Sequence, residues 1–205
     1  MSHEDAPSRS DWEHEYQLSG VAWDTNRPSA VLQRVISDCR VQPCRTVEIG
    51  CGTGKNALWL AGQGFDVTAV DLSSVAIEKA RARAREARLS VNFIVADVRA
   101  PAVLSGQFDF FFDCGCYCAV HLAYDPEYWR VIELATRTGA LGLVLMGNAA
   151  EPKEELGPSV LEEHQVRAEW SQGFEILHLR PFRFEPRREG EKRYLGWSCL
   201  SRRAA

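Results

Sequence analysis

The feature of this sequence that most constrains its fold is a glycine-rich loop, Glu48-Ile49-Gly50-Cys51-Gly52-Thr53-Gly54-Lys55. Residues 46–50 form an apolar run that predicts a buried strand leading into the loop, and residues 55–61 predict the helix that leaves it. A loop of this kind presents free backbone N–H groups at the start of a helix, where the charged part of a ligand can be held. The loop therefore predicts a strand–loop–helix unit with a ligand at the end of its strand.

Strands and helices continue to alternate after the loop, which predicts βαβ units and a parallel sheet covered on both faces. Further strands are expected over residues 65–71, 91–98, 108–113 and 140–147, and helices over residues 73–87, 125–136 and 158–170. Two alternating runs, 174–185 and 194–202, flank a charged turn and predict a hairpin. The expected fold is α/β: a doubly wound, seven-stranded, mostly parallel, Rossmann-like sheet that ends in an antiparallel hairpin.

The residues before the first strand predict two helices. Residues 11–18 form a short helical pattern with Ser10 or Asp11 as its cap, and residues 1–10 are expected to fray. Pro28 opens a second helical pattern.

Composition limits the size and the partners of the protein. A chain of 205 residues forms one domain with a sizeable core, and the predicted fold uses most of it, so we expect a small-molecule substrate. The formal net charge of −4 argues against a nucleic-acid partner. No apolar stretch approaches the roughly 20 residues of a membrane helix, and the N-terminus lacks a secretory signal. We therefore expect a cytoplasmic monomer or weak homodimer with reduced cysteines and no membrane contact.

Two familiar interpretations of the glycine loop fail on spacing. A Walker A loop needs four residues between its glycines and Ser or Thr after its Lys, whereas Gly50 and Gly54 are closer and Asn56 follows Lys55. The dinucleotide fingerprint needs a glycine where Lys55 stands. No tyrosine is followed four residues later by lysine, as a short-chain dehydrogenase requires. Phosphate-loop chemistry and hydride transfer are both disfavoured.

The pattern that remains, Glu48-x-Gly50-x-Gly52-x-Gly54, resembles motif I of the class I S-adenosylmethionine-dependent methyltransferases. The resemblance implies S-adenosyl-L-methionine as the cofactor and S-adenosyl-L-homocysteine as the product. In that family the acidic residue at Glu48 helps to hold the cationic amino-acid end of the cofactor. The three glycines let the backbone approach it closely.

Carboxylates follow at the strand ends where this family holds the nucleoside. Asp71 ends the second predicted strand, where a carboxylate can accept both ribose hydroxyls. The resemblance assigns Asp97 to the adenine amino group and places Asp113, at the end of the fourth strand, beside the transferred methyl group. Two neighbours complete the expected cofactor-binding set: Leu72 and Val98.

Other segments resemble a narrower group, the methyltransferases related to thiopurine, thiol/halide and tellurite-resistance enzymes. The N-terminal residues that fit its signature are Trp12, Tyr16, Trp23, Asp24 and Pro28. Residues 108–121 and the closing residues 196–203 also fit. The chain departs from the group at Ala22, where a proline is usual, and at Cys114, where an arginine is usual. Any substrate contact made by that arginine is absent or replaced here.

The aromatic, polar N-terminal segment outside the βαβ core indicates a lid, and the end of the fourth strand indicates an acceptor pocket. We expect residues 1–28 to form an N-terminal lid segment and residues 29–205 to form the methyltransferase domain. Trp23 is the expected aromatic cover of the sulfonium, because aromatic faces attract cations. The acceptor pocket is expected just after Asp113.

The residues expected around the acceptor are soft and largely uncharged. Tyr117 and His121 are the candidate catalytic residues, His121 because imidazole titrates near neutral pH. A packing function for Tyr117 and a structural function for His121 stay open. The resemblance implies a thiol, halide or chalcogen oxyanion as acceptor. O- or N-methylation of a small metabolite stays open, because this fold serves many acceptors.

A cysteine triplet supports a different class of protein. In an extended segment, the thiols of Cys114, Cys116 and Cys118 would face one way and hold a soft ion, as in a metalloid-binding protein. Structural zinc sites, however, use paired C-x-x-C units, and no second unit exists here. We therefore expect no metal and a pocket-lining position for these cysteines.

Overall fold

The computed structural model describes residues 7–18, 21, 23–100, 104, 107–120, 126–152, 159–186, 188 and 190–205. In chain order, its elements are α1 (Arg9–Gln17), α2 (Ala30–Asp38), β1 (Arg45–Ile49), α3 (Lys55–Gly62), β2 (Asp66–Asp71), α4 (Ser74–Ala87), β3 (Asn92–Val95), β4 (Phe108–Cys114), α5 (Cys116–Val120), α6 (Pro126–Ala135), β5 (Thr136–Asn148), β6 (Val160–Leu161), α7 (Glu163–Trp170), β7 (Phe174–Arg183) and β8 (Leu195–Arg203).

One sheet holds the molecule together, with strand order β3-β2-β1-β4-β5-β8-β7. The pairs from β3 to β5 are parallel, whereas β8 runs antiparallel to both β5 and β7. The strand order reverses between β1 and β4, which makes a crevice at the carboxyl ends of these strands. The predicted doubly wound sheet with a C-terminal antiparallel hairpin is confirmed, and a two-residue eighth strand, β6, pairs with β5.

Both faces of the sheet are covered by apolar side chains. Strand β4 shows this best, because Phe111 packs on one face and Phe110 and Phe112 pack on the other, all with no exposed surface. Burying each ring contributes about 1.5–3 kcal/mol relative to leaving it exposed. Within the described ranges, no helix combines the length and apolar character needed to cross a membrane.

Several predicted boundaries were wrong, and strand β5 begins at Thr136 instead of residue 140. Helix α1 is capped by Ser8, not Ser10 or Asp11, because the Ser8 hydroxyl accepts the Asp11 N–H and the Asp11 carboxylate accepts the Ser8 N–H in a capping box. Strand β3 ends at Val95, so Asp97 lies beyond it. Helix α7 begins only at Glu163, after β6.

Helix α5 was not predicted, because a loop that faces the cofactor and the substrate was expected after β4. The cause lies at the end of β4, where the carboxylate of Asp113 accepts the backbone N–H groups of Cys116 and Tyr117, each at 2.9 Å. Two accepted N–H groups stabilise the first turn of a helix.

Candidate active site

The glycine loop is tightly enclosed from two sides. Gly50 and Gly52 have φ values of 63° and 53°, in the left-handed region that favours glycine. A Cβ added to Gly50 would collide with the Cβ of Cys116, and one added to Gly52 would lie 2.7 Å from the Tyr16 hydroxyl. The loop backbone is therefore contacted by α5 on one side and by α1 on the other. Gly54 forms the N-cap of α3.

Glu48 lies at the end of β1 beneath this loop and is 1% exposed. Its Oε1 accepts a hydrogen bond from Asn56 Nδ2 at 3.0 Å, whereas Oε2 is buried and has no hydrogen-bond partner. Burial raises the pKa of Glu48 to about 8. A buried carboxylate oxygen without a partner fits the ammonium group of S-adenosylmethionine, which would supply both a donor and a positive charge.

Asp71 ends β2 on the neighbouring side of the loop and is 6% exposed. Its Oδ2 accepts the Gly52 N–H at 2.7 Å and its Oδ1 accepts the Ser73 N–H at 2.9 Å. Burial raises the pKa of Asp71. A carboxylate has about four lone-pair sites, so Asp71 can hold the loop and still accept ribose hydroxyls. Leu72, the next residue, is half-buried.

Asp97 and Val98 differ from each other in accessibility. Asp97 is partly exposed and pairs with Arg99, through Nε to Oδ1 at 3.0 Å and Nη2 to Oδ2 at 2.8 Å. These hydrogen bonds lower the pKa of Asp97. An adenine amino group would have to share the carboxylate with Arg99. The Val98 side chain is buried in the core.

Asp113 is fully buried at the end of β4. Besides the two N–H groups of α5, its carboxylate accepts the Tyr128 hydroxyl at 2.8 Å. Burial raises the pKa of Asp113 to about 7. Its contacts show that Asp113 joins β4, α5 and α6, and its predicted contact with the cofactor stays a prediction.

The two candidate catalytic residues are placed differently. Tyr117 has no exposed surface, and its ring packs against Tyr128, Trp129 and Trp170 with centroids 5.0, 5.6 and 5.4 Å away. This position favours a packing function for the ring, and its catalytic role stays a prediction. His121 lies outside the described residues, so its role also stays a prediction.

The N-terminal segment places Tyr16, more than Trp23, against the loop. Tyr16 is 5% exposed and its hydroxyl lies over Gly52, whereas Trp23 is 41% exposed. The Trp23 Nε1–H donates to the Tyr16 hydroxyl at 3.1 Å, and the two rings meet edge to face. Trp23 therefore supports Tyr16 from the more exposed side.

Polar contacts tie this segment to the helices that flank the loop. Lys55 Nζ donates to the Trp23 carbonyl at 2.7 Å, and the Thr53 hydroxyl donates to Asp24 at 2.9 Å. At α4, Ser74 donates its N–H and its hydroxyl to Glu13, and Lys79 donates to the Tyr16 carbonyl. These contacts were not predicted, because they join residues that are far apart in sequence.

The cysteine triplet does not form the extended array on which a soft-metal site was considered. Cys114 ends β4, whereas Cys116 and Cys118 lie on α5, and Cys118 Sγ accepts the Gly147 N–H at 3.2 Å. Burial raises the pKa of the Cys114 and Cys118 thiols to about 12, which disfavours the thiolate that binds metals. Among the residues with described positions, no three His, Cys, Asp or Glu side chains form a metal-binding group.

The chain is similar to curated proteins of several kinds. It is 26% identical to 2-heptyl-1-hydroxyquinolin-4(1H)-one methyltransferase of Mycobacteroides abscessus, over 82% of this chain and 74% of that protein. It is 33% identical to Hemagglutinin 1 of Eikenella corrodens, over 59% of this chain and only 39% of that protein. It is 24% identical to Probable thiol methyltransferase 2 of Arabidopsis thaliana, over 66% and 60% of the two chains. The chain thus spans well under two thirds of the length of some of these relatives.

Solved structures share the fold. A structure concerned with the conversion of a disulfide bond into a thioacetal group during echinomycin biosynthesis has a TM-score of 0.81 at 24% identity, over 96% of this chain and 93% of that one. TehB from Haemophilus influenzae has a TM-score of 0.66 at 18% identity, over 96% and 67%. Magnesium protoporphyrin IX methyltransferase from Synechocystis PCC 6803, solved with bound SAM, has a TM-score of 0.63 at 16% identity, over 96% and 82%.

The sheet order, the glycine loop at the switch point and the acidic ends of β1 and β2 define an α/β domain that binds a nucleoside cofactor. A sequence model of the family described as methyltransferase domain matches residues 47–139, which include this loop. The family match and the methyltransferase relatives support a class I S-adenosylmethionine-dependent methyltransferase. S-adenosyl-L-methionine is the cofactor of this family, as the sequence predicted.

Proposed function

We propose that the protein transfers the methyl group of S-adenosyl-L-methionine to a small, soft acceptor: a thiol, a halide or a chalcogen oxyanion. The choice of acceptor rests on the side chains at the end of β4, which offer no general base. Both carboxylate oxygens of Asp113 accept hydrogen bonds from protein donors, and burial raises the pKa of the Cys114 thiol to about 12. Neither group is poised to remove a proton from an acceptor.

An acceptor that needs little help from a base suits this environment best. A free thiol titrates near 8.5, and its thiolate is a strong nucleophile, whereas an ordinary alcohol needs a general base. Halides and oxyanions are nucleophiles without losing a proton. The similarity to Probable thiol methyltransferase 2 and to TehB supports the same class.

The described residues would bind and align the two reactants. When bound, the cofactor supplies an electrophilic methyl group on a sulfonium sulfur. Glu48 would hold the ammonium group, Asp71 the ribose, and the backbone at Gly50 and Gly52 would lie close to the ligand. Tyr16, on the segment beside the loop, would exclude water, which favours an in-line displacement in a dry site.

A second candidate is O-methylation of a hydroxylated heteroaromatic ring. The relative named for 2-heptyl-1-hydroxyquinolin-4(1H)-one covers 82% of this chain and supports it. The lack of a poised base among the described residues at the end of β4 would favour a hydroxyl group that is already acidic.

We also infer that the protein works in the cytoplasm as a monomer or weak homodimer, with residues 1–28 as its lid and without nucleic-acid or membrane partners. The net charge of −4 supports the absence of a nucleic-acid partner. The contacts of α1 with the loop and α4 support the lid.

An acceptor screen tests the proposal. Purified protein and S-adenosylmethionine would be mixed with small thiols, iodide, selenite, tellurite, a hydroxyquinolinone and a catechol, and the release of S-adenosylhomocysteine measured. Asp71→Ala would serve as the control with weakened cofactor binding. We expect the highest kcat/KM with a thiol, halide or chalcogen oxyanion. Turnover confined to the hydroxyquinolinone would favour the second candidate, and cofactor binding without any turnover would contradict both.

A further inference from the structure

We propose that Asn56 positions Glu48 for the cofactor and connects it to the start of α2. The inference rests on the proposed function, because it concerns how the cofactor's ammonium group is held. Asn56 lies in the first turn of α3 and is 2% exposed. It is a polar residue at the start of an otherwise apolar stretch, residues 57–61, so packing alone does not explain it.

The direction of each hydrogen bond at Asn56 is fixed by its partner. Ser29 offers a backbone N–H, which can only donate, and this group lies 2.9 Å from Asn56 Oδ1. The amide oxygen must therefore face Ser29, and the amide nitrogen must face Glu48 Oε1, 3.0 Å away. Glu48 Oε1 is consequently an acceptor in this contact. The other oxygen, Oε2, is left for a ligand.

Ser29, Asn56 and Glu48 form a chain of hydrogen bonds that we call the relay. All three residues are buried, with exposures of 1% for Glu48, 2% for Asn56 and 4% for Ser29. In such surroundings, hydrogen bonds hold a side chain in one orientation, and water cannot replace a lost partner. Ser29 also forms the N-cap of α2, because its hydroxyl accepts the Leu32 N–H. The relay thus links the carboxylate of Glu48 to Ser29, the first residue after the N-terminal segment.

A merely structural function for Asn56 makes a different prediction. Satisfying the buried Ser29 N–H needs only an acceptor, which aspartate also provides. Holding Glu48 as an acceptor needs the amide N–H₂ group, which aspartate lacks. Asn56→Asp therefore separates the two functions, since it keeps the contact with Ser29 and places a like charge against Glu48.

The pH dependence of ligand binding reports on Glu48 directly. Burial and the charge of Asp113 raise the pKa of Glu48, whereas the hydrogen bond from Asn56, the charge of Lys55 and the backbone N–H of Ala57 lower it. The charge of Glu48 in turn helps to raise the pKa of the Cys51 and Cys114 thiols. Loss of the Asn56 donor should raise the pKa of Glu48 and move the pH profile of binding upward.

The test is calorimetric binding of S-adenosylhomocysteine at several values between about pH 6 and about pH 9, where Glu48 titrates. We expect Asn56→Asp to bind about tenfold more weakly than wild type near neutral pH, with its profile displaced to higher pH. Asn92→Asp is the matched control, because Asn92 is exposed at the start of β3 and the variant adds the same charge away from Glu48. Its profile should match wild type.

Two further variants keep the inference open to refutation. Asn56→Ala adds no charge and should displace the profile in the same direction, which covers the case in which the Asp variant does not fold. In a Glu48→Gln background, Asn56→Asp should cost no further affinity, because both substitutions act through one group. An Asn56→Asp or Asn56→Ala protein that binds within twofold of wild type with an unchanged profile would overturn the inference and leave the proposed function intact. Failure of the wild type to bind would overturn both.

Discussion

At the scale of single residues, the buried carboxyl of Glu48 links ligand binding to stability. Its pKa is about 8 in the folded protein and 4.5 in the absence of burial. Between these values the folded state keeps a proton that the unfolded state releases, so the contribution of Glu48 to stability falls as pH rises from about 4.5 to about 8. Asp113, whose pKa is raised to about 7, acts in the same direction.

Glu48→Gln should therefore have opposite effects on stability and binding. Glutamine stays neutral and still accepts the Asn56 hydrogen bond, so the unliganded variant should unfold at a higher temperature than wild type near pH 8 and at a similar temperature near pH 5. It should also bind S-adenosylhomocysteine at least about tenfold more weakly. Thermal unfolding and calorimetry measure the two effects, and an identical pH response of the two proteins would contradict the assignment of the titrating group.

Asp71 yields the second prediction at this scale. Asp71→Ala removes an acceptor for the ribose hydroxyls and should weaken S-adenosylmethionine binding by about 1.5–3 kcal/mol. The same substitution frees the Gly52 N–H, so Asp71→Asn, which keeps one acceptor oxygen, separates loss of the ligand contact from loss of the loop contact. We expect both variants to bind more weakly by calorimetry. Wild-type affinity in both would remove Asp71 from the site.

At the scale of elements, the contacts of α1 support the proposed lid. Tyr16 of this helix lies against Gly52 of the glycine loop, and Glu13 accepts a hydrogen bond from Ser74 of α4. Amide exchange in residues 7–18 should slow when S-adenosylhomocysteine is added, because a lid closes on its ligand and excludes water. Strand β7, at the far edge of the sheet, is the internal control. Equal exchange in α1 with and without the ligand would contradict the lid.

The elements that the sequence predicted well carry their own local signals. Strands β1, β2 and β4 are rich in β-branched or aromatic residues, and Ser73 precedes α4 as its N-cap, because its hydroxyl accepts the Ala76 N–H. Helix α5 had no such signal, because its first turn depends on the carboxylate of Asp113 from the preceding strand. The local sequence pattern therefore does not predict a helix whose N-terminal cap comes from a neighbouring element.

The candidate site divides in the same way. Glu48, the three loop glycines and Asp71 follow from the strand–loop–helix pattern, because sheet topology alone brings strand ends together. The contact between Ser29 and Asn56 and the position of Tyr16 over Gly52 depend on how the N-terminal segment folds back. Sequence spacing does not encode these long-range contacts.

At the scale of the whole molecule, the sheet order brings three buried carboxyl groups together at the carboxyl ends of the parallel strands. Glu48, Asp71 and Asp113 lie in the last two positions of the adjacent strands β1, β2 and β4, and burial raises the pKa of each. A cationic ligand that binds at these strand ends is attracted by the carboxylates and stabilises their ionised forms. The strand ends are thus suited to one molecule that carries both a sulfonium and an ammonium group.

The buried thiols of the cysteine triplet predict how turnover responds to metal ions. Burial raises the pKa of the Cys114 and Cys118 thiols to about 12, and Cys118 accepts a backbone hydrogen bond, so they are poor candidates for thiolate ligands. Displacement of a methyl group from a sulfonium also needs alignment more than a Lewis acid. Turnover of the acceptor found in the screen should therefore be unchanged by added zinc or by a chelator.

The measurement is the rate of S-adenosylhomocysteine release with zinc, with a chelator and with neither, alongside elemental analysis of untagged protein. Cys114→Ser is the matched variant, because it removes a thiol and keeps a small polar side chain at the end of β4. It should bind the cofactor as wild type does and show the same indifference to metal. Chelator-sensitive turnover that Cys114→Ser abolishes, together with stoichiometric metal in the wild type, would instead make the cysteine triplet part of a metal-dependent site.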